Sequence, residues 1–111
     1  MIPTSGIFSK REEAERARDL LSARGVPPNE MRLEPIRQPF WVNLVDLNIP
    51  TEEAVLYEPY IPASAWMLVL RTTRLPMDEI DRVVEGEKGV VLRQGVAPPL
   101  SDLALKHGDE V

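Results

Sequence analysis

The stretch Trp66-Met67-Leu68-Val69-Leu70-Arg71-Thr72 constrains the fold of this chain more than any other. Its apolar run lies between Ala63-Ser64-Ala65 and Arg74-Leu75-Pro76, and it is too short to span a membrane. Read as a strand, it places Trp66, Leu68 and Leu70 on one face and Met67, Val69 and Arg71 on the other. Both faces are apolar until the strand's end, whereas a strand covered on one side alternates apolar with polar residues. Something must therefore pack against each side of it.

A chain of 111 residues is one ordinary domain, large enough to bury a core without metal or disulfide support. We place that domain at 1–97, with an insert at 38–65, and read 98–111 as a polar tail. The absence of cysteine excludes disulfides, thiolate chemistry and cysteine zinc sites. The opening residues, Met1 to Gly6, have neither the basic start nor the apolar core of a signal peptide, so the expected location is cytoplasmic, with no membrane partner. The net charge of -5 lacks the concentrated Lys and Arg that a phosphate backbone needs, and nucleic acid is not an expected partner. Residues 1 to 40 carry seven basic and six acidic side chains, so the negative excess falls in the second half, where it reads as a solvated face and an acidic tail.

Gly6-Ile7-Phe8 within Ser5 to Ser9 is a short apolar piece ahead of a helix signal and reads as a first strand. Ser9 and Glu12 have the spacing of a capping box, predicting a helix from Lys10. Ala14, Ala17, Leu20, Leu21 and Arg24 then form one stripe, and Glu12 with Arg16 and Glu15 with Arg18 are expected to pair on the exposed side. Gly25 suits the left-handed position beyond the helix end, with Val26 closing onto Leu21, and Pro27-Pro28 prevents continuation. Met31 to Glu34 alternates as a second strand, and Pro35 assigns it to a sheet edge. Trp41 to Ile49 reads as an extended segment with a bulge, and Tyr57 to Pro62 as an ordered loop. After the central run, Pro76 through Val84 predicts a second helix that ends near Glu85 or frays to Gly89, and Val90 to Arg93 is a last strand.

The order strand, helix, strand, insert, strand, helix, strand matches a ferredoxin-like split βαβ arrangement of the α+β class, a four-stranded antiparallel sheet with two helices on one face. The first and third strands should be central, and the helices should deliver Leu20, Leu21, Ile80 and Val83 to one face of the central run.

Gly6-Ile7-Phe8-Ser9, Arg11-Glu12-Glu13-Ala14-Glu15-Arg16-Ala17, Leu20-Leu21 and Gly25 resemble the opening of the bacterial general stress protein (heat-induced stress protein) domain. Trp66 to Leu92 is similar to that family's second half, so the resemblance covers about two thirds of the chain. It implies a small stress-associated module and carries no catalytic motif onto these residues. The 38–65 insert departs from the family pattern.

No residue set compels a reaction. His107, the only histidine, sits in the polar tail, and with Ser101 and Asp102 it lacks the rigid geometry of a catalytic triad. The carboxylate pairs Glu12-Glu13 and Asp78-Glu79 are explained as helix-start residues, and Glu52-Glu53 has the same reading. Neither a dinucleotide fingerprint nor a phosphate-cradling loop is present, and the paired stacking aromatics of RNA-recognition modules are missing. No catalytic residue, metal site or cofactor is expected. Five of the six aromatic residues fall between 40 and 66. Of these, Trp41, Tyr57, Tyr60 and Trp66 could cover the helix-free face of the sheet, anchor an oligomer interface or line a ligand pocket. The expected function is a non-enzymatic module acting through self-association, as a homodimer, or through another protein. The alternative is a small-molecule-binding regulatory domain with the insert as its lid.

Overall fold

A computed structural model of the chain describes residues 3–36, 52, 61 and 64–93. They form β1 (Thr4–Phe8), α1 (Arg11–Ala23), a 3-10 turn (Pro28–Glu30), β2 (Met31–Pro35), β3 (Trp66–Leu70), α2 (Met77–Gly86) and β4 (Val90–Arg93). The chain is α+β, with a four-stranded antiparallel sheet in the order β2-β3-β1-β4. Pro35 lies on an edge strand, where a missing amide donor is tolerated. The assignments at Trp41–Ile49 and Tyr57–Pro62 lie outside the described residues, Ile61 excepted.

The register sorts the sheet into two faces. Thr4 pairs with Leu70, Gly6 with Leu68 and Phe8 with Trp66, while Met31 and Leu33 stand opposite Leu70 and Leu68. Phe8, Leu68, Leu70 and Val91 from this face share one core with Ala14, Ala17 and Leu21 of α1 and Ile80, Val83 and Val84 of α2. Both helices therefore cover the same side. α2 approaches the sheet closely: a Cβ on Gly6 would lie 2.8 Å from Val84 Cγ1, and one on Gly89 would lie 2.5 Å from the Phe8 ring. No side chain fits at either position without displacing its neighbours.

The opposite face, with Ser5, Ile7, Met67, Val69, Val90 and Leu92, is buried in a single copy of the chain, Val90 being the most exposed of them at 4%. Ser5 Oγ donates to the Leu92 carbonyl at 3.0 Å, so this hydroxyl is not left unsatisfied. The central strand is thus dry on both sides, as its composition demands.

The helix ends partly depart from expectation. α1 starts at Arg11 with Lys10 as its cap and no side-chain capping bond. Ser9 stands one residue too early for a capping box, and its hydroxyl donates to Glu13 at 3.3 Å instead. At the other end the expected Schellman closure is present: Val26 N donates to Leu21 O at 3.1 Å, Gly25 N to Ser22 O at 3.0 Å, and Gly25 has φ 102°. α2 closes the same way through Gly89 N to Val84 O and Lys88 N to Glu85 O, at 2.8 and 3.0 Å. Here the left-handed residue is Lys88, with φ 69°. Glycine is one position later because the Phe8 ring leaves Gly89 no room for a side chain.

Leu20 does not enter the core. It is 43% exposed, and Glu13 takes the remaining place on the buried side of α1 with Ala14, Ala17 and Leu21. At 100° per residue Leu20 sits at the margin of the stripe.

Candidate functional site

Two ion pairs join the helices. Arg16 Nε donates to Glu87 Oε1 at 2.8 Å, and Arg24 Nη1 pairs with Glu79 Oε2. Arg16, Leu20 and the C-cap residue Arg24 form an i, i+4, i+8 row along α1, and Glu79, Val83 and the C-cap residue Glu87 form the matching row along α2. The helices run antiparallel, so Leu20 stands opposite Val83 midway between the two bridges. Val83 is buried and Leu20 is exposed. The Glu87 carboxylate also raises the pKa of Arg16 above its already high value. The expected Glu12–Arg16 and Glu15–Arg18 pairs do not form: Arg16 reaches across to α2, Glu15 accepts from Arg11 at 2.9 Å, and Arg18 turns to Asp19. The ends of Arg16 and Glu87 are close only because the helices are packed.

Trp66, alone among the four aromatic candidates, lies within the described residues. It packs on the margin of the core at the end of β3, and the Arg11 guanidinium stacks 4.7 Å from its ring centroid. A contact of this kind contributes about 0.5–1 kcal/mol at an exposed site. Trp66 therefore closes the helix-side core and does not reach the opposite face. Trp41, Tyr57 and Tyr60 lie outside the described residues.

At the end of β2 and β3 a cavity of about 230 Å³ is lined by Asn29, Glu30, Met31, Arg32, Val69 and Arg71. Arg71 N donates to Glu30 O at 2.9 Å, extending the ladder past the last paired residues. A hydrogen bond from the Thr72 hydroxyl, helped by the Arg74 guanidinium at 3.2 Å, holds the Glu30 carboxyl below its usual range. Glu30 thereby ties the segment after β3 to the turn before β2.

A further polar cluster ties β4, β1 and α2 together. Arg93, buried at the end of β4, donates from Nε to Thr4 Oγ1 at 2.9 Å and from Nη2 to Asp81. Thr4 Oγ1 in turn lies 3.7 Å from Met77 Sδ. The guanidinium is satisfied from two directions, which is how a buried charge is tolerated.

Among the described residues no group of three or more His, Asp or Glu side chains is placed to hold a metal, and no helix is long and apolar enough to cross a membrane. The chain matches no protein-family model, no curated protein and no solved structure.

The seam was half visible in the sequence, since both i, i+4, i+8 rows can be read from residue spacing. What spacing does not contain is which two rows face each other. The Thr4–Arg93–Asp81 cluster had no local signal, because its members are joined only by the sheet register and the placement of α2.

Proposed function

We propose that this chain is a non-enzymatic, cytoplasmic module of ferredoxin-like split βαβ topology, akin to the general stress protein domain, that works by associating with itself or with another protein. The strand order β2-β3-β1-β4 with both helices on one side supports the topology. The observation that carries the function is the α1–α2 seam, where an exposed leucine is framed by two cross-helix ion pairs. An apolar centre within a charged rim is the usual composition of a protein interface. The helix-free sheet face does not support association, because it is already buried within one copy. Static light scattering across a wide concentration range tests the self-association branch, with a mass above that of one chain expected at high concentration.

A second reading is favoured by the cavity at the end of β2 and β3, where Arg32 and Arg71 stand near Asn29 and Glu30. At about 230 Å³ it is smaller than the ~300–1,000 Å³ of drug-sized ligand pockets and suits a small polar metabolite. A strictly monomeric chain with a metabolite-induced thermal shift would replace the first reading with this one.

A further inference from the structure

We infer that the partner at the seam is a second copy of this chain, docked with its two-fold axis parallel to the seam. The inference rests on reading the seam as an association surface, and the charge pattern selects the occupant. Arg16 and Arg24 line the α1 side, Glu87 and Glu79 line the α2 side, and each arginine stands level with a glutamate. Rotation about an axis along the seam keeps every residue at its level and exchanges the two sides. Arg16 of the second copy then lies over Glu87, Arg24 lies over Glu79 and Leu20 lies over Val83, so the two Leu20 side chains are diagonal neighbours at the centre. Each carboxylate gains a second guanidinium, so the charges alternate in sign around two squares, one at each end of the leucine contact. An axis across the seam would set arginine on arginine and glutamate on glutamate, so the pattern admits only one of these two orientations.

Net charge and contact area limit how strong such a dimer can be. The chain carries a net charge of -5, so two copies repel at long range and self-association requires a locally complementary patch. The outer face of the helix pair is about 20 Å long and about 20 Å across, roughly 400 Å² per copy and about half the ~800 Å² per partner of a standard interface, which predicts a weak, reversible dimer.

Sedimentation velocity on the full chain, with far-UV circular dichroism melts as a folding control, tests the arrangement through two variants. Leu20→Lys changes an exposed side chain and is expected to raise the dimer dissociation constant at least about 30-fold. The fourfold reversal Arg16→Glu, Arg24→Glu, Glu79→Arg and Glu87→Arg keeps every cross-helix pair opposite in charge. It should therefore dimerise with itself yet form no mixed dimer with the wild type, read by energy transfer between differently labelled chains. Free mixing of the two proteins, or a Leu20→Lys variant that dimerises like the wild type, would overturn the inference and leave self-association through another surface standing. A wild-type chain that stays monomeric at every concentration would also overturn it, leaving only association with a different protein.

Discussion

Lys88 adopts a left-handed conformation in the turn that ends α2, a position where helices usually place glycine. The cost for a side-chain-bearing residue is about 1–2 kcal/mol, and it is accepted here because the neighbouring glycine is held at 89 by the Phe8 ring. Lys88→Gly removes that strain while losing some unfolded-state restriction, and the expected net gain is about 1 kcal/mol, read as a higher urea midpoint. An unchanged midpoint would mean that the turn carries no strain. Sequence alone could not assign the two roles, since Gly86-Glu87-Lys88-Gly89 offers two glycines for one helix end. Packing decided between them.

At the scale of elements, charged residues join segments that are distant in sequence. Arg93 fastens β4 to β1 through Thr4 and to α2 through Asp81. Removing one partner leaves a largely buried guanidinium, so Asp81→Ala should cost about 3 kcal/mol, whereas Asp81→Leu combined with Arg93→Met should recover most of that loss. Chemical denaturation of the three variants would check this, and an additive double mutant would show that the pair is not coupled. Glu30 supplies a pH-dependent link. Its folded pKa is depressed by Thr72 and Arg74, so its contribution is full above the ordinary value of 4.5 and is lost as pH falls through the folded value. Thr72→Val should therefore be less stable than the wild type near neutral pH, with the gap narrowing on the acid side, as measured by thermal midpoints from about pH 7 to about pH 3. A gap constant across that range would assign the loss to packing.

For the whole molecule, the decisive feature is that β1, β3 and β4 are buried on both faces in one copy, Trp66 being half-buried, and only the edge strand β2 meets solvent. Ile7 lies on the face away from the helices and is fully buried. Its cross-strand neighbours Met67 and Val90 are apolar, so a charge there has no partner, and Ile7→Asp should cost about 3–5 kcal/mol, a large fraction of the stability of an ordinary domain. We expect it to unfold the chain without a distinct dissociation step, seen as loss of the far-UV circular dichroism signal at a lower temperature. A variant that stayed as stable as the wild type but changed its association state would place an interface on the sheet.

Much of the fold was legible in local pattern. Period-two alternation and the doubly apolar run marked the strands, and Gly25 with Val26 marked the end of α1, because these features depend on near neighbours. The same reasoning demanded cover on both sides of Trp66–Leu70, and the structure meets that demand within one chain. Leu20 shows where the local pattern stopped: its spacing placed it with the core, yet it sits at the margin of the stripe and is exposed, while Glu13 is buried in its stead. The Arg16–Glu87, Arg24–Glu79 and Arg93–Asp81 pairs belong to the same category. Hydrophobic periodicity is a property of a segment and can be read from the segment. The pairing of charges across the sheet and between the helices depends on the relative placement of segments, which only the packed tertiary structure supplies.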